Sequence, residues 1–325
     1  MIYLDNAASS WPKPDGVIER ARGWIAENGA NPGRANHRPA RRAGRAVREA
    51  RVRTASLLGV EDASRIVLTS GATHALNLAI RGLLEPGDHV VTTLLEHNAV
   101  LRPLHHLRAS RDVGLSAVEP GPDGRVRPGE IAAAMEPATR LVAVTHASNV
   151  LGTVQPVAGI VEAVRRRAGR KVAVLVDAAQ TAGVLDLPAG RWDVDLLAVA
   201  GHKGPFGLQG TGALYVAPGI ELEPLMSGGT GTRSHEPRPP PEMPERLEPG
   251  TPNTPGLAAL AEGLRFLEET GLEAVRSRES ALHGRLVEGL RTVEGVRVHN
   301  PPGSEEEGLA VAAFDLVGSD PAEAA

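Results

Sequence analysis

Of the 35 basic residues in this chain only Lys13, Lys171 and Lys203 are lysine, so any amine chemistry has three places to occur. Lys203 lies in Gly201-His202-Lys203-Gly204-Pro205, a tight glycine-flanked loop directly after the apolar run DLLAVA (195–200). A lysine held near positive or apolar groups can lose its proton and act as a Schiff-base nucleophile. Without such surroundings it is an ordinary solvated loop lysine. Lys13, between two prolines, and Lys171, at the head of an apolar run, read as surface lysines.

Four further groups stand at comparable places. Asp177 ends the run VAVLVD, with Gln180 three residues on. A carboxylate there must be solvated, paired or hydrogen-bonded, and it can equally be a helix cap. Thr69-Ser70-Gly71-Ala72-Thr73-His74 joins an apolar run to a helical stretch. The exposed N–H groups of a starting helix can bind phosphate, although Gly and Thr also serve there as plain caps. Glu96-His97-Asn98 and Ser148-Asn149 each follow an apolar run, and each alone reads as a loop cap.

The elements that must position these groups are legible between about residues 60 and 216. Short β-rich runs read RIVLTS (65–70), HVVTT (89–93), VGLSAV (113–118), RLVAVTH (140–146), KVAVLVDA (171–178), DLLAVAG (195–201) and GALYVA (212–217). Amphipathic stretches such as THALNLAIRGLL (73–84) and VAGIVEAVRRRAG (157–169) separate them. Runs apolar on both faces and spaced by helices predict a largely parallel sheet covered on both sides. Residues 227–256, rich in Gly, Pro and charge, read as a surface linker or a functional loop. Helical pattern resumes at 257–270 and 272–293, followed by expected strands at 296–299 and 309–316. This predicts a smaller α+β domain. The segment Ser319-Asp320-Pro321-Ala322-Glu323 has the cap, Pro and Glu of a capping box, which announces a helix just before residue 325. The expected division is an N-terminal segment near the active site (1–15), a large cofactor-binding α/β domain (16–256) and a partial, truncated small domain (257–325).

Composition excludes several classes. The chain has 325 residues, 42% of them hydrophobic and 23% charged, which is ordinary for a globular protein. A formal net charge of -4 argues against a generally basic nucleic-acid binder. No run reaches the roughly 18 apolar residues that a membrane span needs. The first residues lack a signal-peptide layout, so a cytoplasmic protein is expected. With no cysteine, these residues can form neither a disulfide, a thiolate metal site nor a cysteine nucleophile. The eleven histidines include His105-His106 but no H-E-x-x-H spacing, and no metal site is expected.

A phosphate cradle, an acid, a lysine, a histidine and an asparagine thus fall at carboxyl ends of strands in one sheet. That set matches the needs of pyridoxal 5′-phosphate: an amine for the Schiff base, an acid that keeps the pyridine nitrogen protonated, and a helix N-terminus for the phosphate.

The segments YLDNAA (3–8), NPGR (31–34), SGATHALN (70–77), EHNAVLRPL (96–104), THASNVLGT (145–153), VDAAQTAG (176–183), GHKGPFGLQGTGALY (201–215) and EPGTPNTPG (248–256) together resemble the class V aminotransferase family. The resemblance runs through essentially the whole chain and is greatest to the cysteine desulfurase and selenocysteine lyase branch. It implies a homodimeric, cytoplasmic enzyme of the type I pyridoxal-phosphate transferase fold (aspartate aminotransferase-like). It also implies that Lys203 forms the Schiff base and moves the proton, with Asp177 at the pyridine nitrogen and Gln180 at the ring oxygen. His97 would stack on the ring and assist acid–base steps. Ala72, Thr73 and His202 would lie at the phosphate, Asn149 at the substrate carboxylate or cofactor oxygen, and Thr251 would reach the phosphate of the partner subunit.

Two departures are plain. Relatives often carry a hydroxyl two residues before the histidine, where Ala200 stands here. The loss of one such hydrogen bond to a charged group costs roughly 1.5–3 kcal/mol. The desulfurase persulfide cysteine and the arginine for the substrate carboxylate belong to a later region, so the cysteine is expected beyond residue 325. Three readings follow: a cysteine desulfurase (L-cysteine to L-alanine, sulfur passed to an acceptor protein), another class V reaction such as selenocysteine lysis, β-elimination or transamination, and a non-catalytic cofactor-binding scaffold.

Overall fold

Seven apolar runs become the strands of one sheet, as their β-branched content and two-faced apolarity predict. The structure, a computed structural model, describes residues 2–32, 37–231, 236–299 and 308–318. In chain order its elements are α1 (Asp15–Glu27), α2 (Arg38–Leu57), β1 (Ile66–Thr69), α3 (Ala72–Leu83), β2 (His89–Thr93), α4 (Asn98–Arg111), β3 (Gly114–Val118), α5 (Pro128–Ala133), β4 (Thr139–Thr145), α6 (Val157–Ala168), β5 (Ala173–Asp177), α7 (Ala189–Trp192), β6 (Leu196–Ala200), β7 (Gly212–Val216), α8 (Thr254–Thr270), α9 (Leu272–Arg291), β8 (Val296–Val298) and β9 (Phe314–Leu316).

The sheet has the order β1-β7-β6-β5-β4-β2-β3. Only β7 runs against its neighbours, pairing antiparallel with both β1 and β6, so the other six strands point one way. Successive side chains of β5 feed opposite cores: Val174 and Val176 pack on one face, Ala173 and Leu175 on the other. Helix α6 covers the first face through Val157, Ile160, Val161 and Val164, while α3 and α4 cover the second through residues such as Leu76, Ile80, Leu104 and Leu107. Each fully buried aliphatic side chain of this kind contributes roughly 1.5–3 kcal/mol of transfer free energy.

The chain therefore leaves β2 toward one face and β4 toward the other. Adjacent strands whose connections depart to opposite faces open a crevice at their carboxyl ends, which is where open α/β sheets bind ligands. A third layer lies outside the first face. There α8 contributes Leu257, Leu260, Ala261 and Leu264 to a cluster with Ala50 of α2, and Ala258 packs with Trp24 of α1, Ala43 and Ala46.

Two expectations need correction. Helix α8 begins at Thr254, before the expected 257, because the Asn253 side chain accepts the Gly256 N–H at 3.1 Å and Pro255 suits a first turn. The run 309–316 is strand only at Phe314–Leu316, which pairs with β8. Its earlier residues dock instead of extending the ladder: Leu309 N–H bonds the Gly152 carbonyl at 2.8 Å, and Leu309 and Val311 pack beside Ala147 and Val184. The expected capping box at 319–323 lies outside the described residues, as do residues 33 and 34 of NPGR.

Candidate functional site

At the carboxyl ends of the strands lies a cavity of about 440 Å³, lined by both polar and apolar groups. Its wall is made by the turn from β1 to α3 (Ser70 to His74), by His97 after β2, by Asn149 after β4, by Asp177 and Gln180 after β5, and by Ala200, His202 and Lys203 after β6. Eight of the nine residues expected at the site are therefore together. The ninth, Thr251, is exposed and does not line this cavity; its hydroxyl receives a hydrogen bond from the Asn31 side chain at 3.3 Å.

Helix α3 presents its start to the cavity. Gly71, at φ 151°, makes the turn in a backbone region closed to most side chains and provides no side-chain cap. Ala72 and Thr73 are the first two residues of the helix, so their N–H groups and the partial positive charge of the helix end face an incoming anion. His74 folds back, its Nδ1 accepting the Ser70 N–H at 3.3 Å. Burial lowers the His74 pKa, so its ring favours the neutral form.

Asp177 is 5% exposed, and its Oδ1 accepts the Ala179 N–H at 2.9 Å. Burial pushes its carboxyl up, while that hydrogen bond and the positive charge of Lys203 act in the opposite sense. Burial likewise pushes the Lys203 amine below the ordinary lysine range, and the carboxylates of Asp177 and Asp5 pull it partway back. His97 caps α4, its Nδ1 accepting the Ala99 N–H at 3.1 Å. That bond assigns the ring proton of a neutral imidazole to Nε2. Gln180 donates from Nε2 to the Ala7 carbonyl at 3.2 Å, and His202 Nδ1 lies 3.3 Å from Ser9 Oγ.

The glycines beside Lys203 have a steric reason. A Cβ on Gly204 would sit 2.2 Å from the Ala182 carbonyl oxygen, and one on Gly183 would sit 2.4 Å from the Gly204 carbonyl carbon. The lysine loop is thus pressed against the turn that carries Asp177 and Gln180, which is how two separate strand ends converge on one cavity.

The N-terminal segment is stitched to the same loop, and here the reading of Lys13 as a surface lysine fails. Lys13 is half-buried, donating from Nζ to the His202 carbonyl at 2.7 Å and to Ser10 Oγ at 2.8 Å, and burial lowers its pKa to about 8. Ser10 Oγ in turn donates to the Lys203 carbonyl at 2.9 Å. Nothing in the local sequence signals this, because the contact spans 189 positions. Lys171 is exposed, as expected.

This donor set suits a phosphate-bearing aromatic aldehyde: an uncapped helix start for a dianion, a buried carboxylate, an amine of lowered pKa and an imidazole on one cavity. Ala200 brings no hydroxyl to the wall, in keeping with the departure noted above. Among the described residues no group of three or more His, Asp or Glu could hold a metal ion.

An α/β fold with a lysine, an acid and a helix start at one sheet edge is the layout of a cofactor-dependent enzyme. The chain belongs to the class V aminotransferase family, whose family model ("Aminotransferase class-V") matches residues 2–325. Members of this family depend on pyridoxal phosphate. The chain is 34% identical to a probable cysteine desulfurase of Mycolicibacterium paratuberculosis over 99% of its own length and 47% of the relative's. It is 36% identical to the cysteine desulfurase IscS of Tolumonas auensis, over 95% of this chain and 73% of that one. Among solved structures, the apo cysteine desulfurase of Thermococcus onnurineus superposes with a TM-score of 0.89 at 31% identity, covering all of this chain and 81% of that one. The chain thus spans about half the length of the first of these relatives and most of the other two.

Proposed function

We propose that this chain is the pyridoxal-phosphate-binding part of a cysteine desulfurase, converting L-cysteine to L-alanine and passing sulfur to an acceptor protein. One observation carries the reading: Lys203 and Asp177, each displaced by burial from its ordinary pKa, share a cavity with an uncapped helix start. When bound, the cofactor supplies an electron sink that weakens bonds at the substrate amino acid's α-carbon. The first N–H groups of α3 at Ala72 and Thr73, with His202 alongside, would hold the phosphate. Asp177 would keep a proton on the ring nitrogen, Gln180 would bond the ring oxygen, and His97 would lie at the ring. Lys203 Nζ would hold the cofactor and, once freed by the substrate amine, would carry a proton to and from the substrate carbon. Its depressed pKa suits this, because a neutral amine is needed to take that proton. Asn149 contacts the substrate carboxylate or the cofactor oxygen.

Several finer points belong to the same proposal. The protein works as a homodimer in the cytoplasm, with Thr251 reaching the phosphate in the partner subunit. Its position outside its own chain's cavity supports that role. No described helix is long and apolar enough to cross a membrane. The tie of Ser10 and Lys13 to the lysine loop supports a place at the active site for the first segment, 1–15.

A second reading, another class V reaction such as selenocysteine lysis, β-elimination or transamination, needs no cysteine, and these 325 residues contain none. A desulfurase must take its sulfur-accepting thiol from outside these 325 residues. The assay that separates the two is alanine and sulfide release from L-cysteine in the presence and absence of an external thiol. Thiol-dependent alanine formation supports the desulfurase reading, and turnover of selenocysteine alone supports the second.

A further inference from the structure

Glu96 is 7% exposed and does not line the cavity, yet it immediately precedes His97. Its Oε1 accepts from Thr93 Oγ1 and from the Thr145 N–H, both at 2.8 Å. Thr93 ends β2 and Thr145 ends β4, so one carboxyl oxygen ties together the two strand ends between which the crevice opens. The other oxygen, Oε2, is buried without a hydrogen-bond partner. Thr145 pairs in register with Asp177 on the adjacent strand β5, which places a second buried carboxyl close by.

An ionised Glu96 would therefore put two anions into one dry space, with an oxygen that no donor reaches. The cost of such an arrangement falls on the charged form. We propose that Glu96 is a positioning residue held as a neutral acid, which braces the ends of β2 and β4, fixes the loop that presents His97, and leaves Asp177 as the one buried anion facing the cavity. The last clause rests on the cofactor reading, and the brace does not.

The electrostatics agree. Burial and, more weakly, the Asp177 charge push Glu96 up to about 8, against the pull of its bonds to Thr145 and Thr93. The groups facing this pair from neighbouring elements are Lys203, from the loop after β6, and His97, from Glu96's own loop. Both act on Asp177. His146, next to Thr145, turns its ring instead to Thr181 and Trp192.

The sign of the pH effect is fixed. The folded protein keeps a proton that an unfolded glutamate releases near its ordinary value of 4.5, so the wild type loses stability as pH rises from there to about 8. Glu96→Gln keeps the shape and cannot ionise. In melting experiments on cofactor-free protein, the Tm advantage of Glu96→Gln over wild type should widen by about 5 °C between pH 5 and pH 8 and then level off. Glu96→Ala, which removes the brace, should melt lower than Glu96→Gln at every pH. A gap that stays flat with pH, or a glutamine variant no better than the alanine one, overturns the proposal. Should neither variant fold, infrared spectra of Asp177→Asn, in which Glu96 is the remaining carboxyl of the pair, decide the matter. A protonated buried carboxyl at pH 7 is expected, and its absence overturns the proposal. A separate titration with pyridoxal phosphate should give Glu96→Gln a Kd within about threefold of wild type, and a tenfold loss would show that the charge itself is needed. Failure of the wild type to take up cofactor would count against the functional reading alone, since melting and infrared measurements need none.

Discussion

The chemistry of the site rests on buried titratable groups whose charged forms are disfavoured until a partner arrives. Lys203 has its amine pushed down and Asp177 its carboxyl pushed up, both by burial first. A cationic ring nitrogen beside Asp177 and a carbonyl carbon beside Lys203 would relieve both, so the pair points to one ligand. A neighbouring histidine illustrates the same physics in a structural role. His146 is buried, its Nδ1 2.9 Å from Thr181 Oγ1 and its ring 5.0 Å from Trp192, and burial lowers its pKa to about 4. Because the folded state disfavours the charged ring, the stability it confers is complete above the unfolded value of 6.5 and is lost as pH falls toward 4. The full swing is on the order of 3 kcal/mol. Melting curves from pH 7 to pH 4.5 should therefore show wild type losing more stability than His146→Gln, and parallel losses would contradict this.

At the scale of elements, close backbone approach decides where the lysine loop can lie. Gly204→Ala forces a Cβ into the Ala182 carbonyl, and overpacking of that kind should cost about 2–3 kcal/mol in denaturant melts and weaken cofactor binding as well. Gly44, inside α2 with nothing near its added Cβ, supplies the contrast. Gly44→Ala should stabilise by about 0.5–1 kcal/mol through helix propensity alone. Every one of the seven sheet strands was legible in the sequence, because two-faced apolar runs of five to eight residues have few other uses. Eight of the nine expected site residues line one cavity, since strand ends collect the polar residues that such runs cannot bury. What was not legible depended on contacts distant in sequence. Lys13 reads as solvent-facing until the chain brings the His202 carbonyl to it, and Leu309 and Val311 read as strand until Gly152 and Ala147 capture them. Glu96 was visible only as a loop residue, since its burial depends on Thr145, 49 positions away.

At the scale of the molecule, the outer helical layer is joined to the sheet by a polar link as well as by its apolar core. Arg51 of α2 makes two parallel bonds to Glu248, at 2.6 and 2.8 Å, and also donates to the Ile66 carbonyl, while Glu248 accepts the Leu68 N–H. One ion pair thus ties α2, strand β1 and the approach to α8. With side chains 13% and 19% exposed, it is sheltered but not fully dry. Glu248→Ala leaves Arg51 and the Leu68 N–H without their partner and should cost about 2–3 kcal/mol in urea melts. The double variant with Arg51→Met should recover part of that loss, and strict additivity would contradict the coupling.

Visible absorption of the purified protein titrated with pyridoxal phosphate tests whether this fold assembles a lysine-centred cofactor site. A yellow band should form in wild type, change on addition of L-cysteine, and be absent in Lys203→Ala while that variant still melts cooperatively. A protein that stays colourless with added cofactor, or a Lys203→Ala variant that develops the same band, would contradict the assembly of that site.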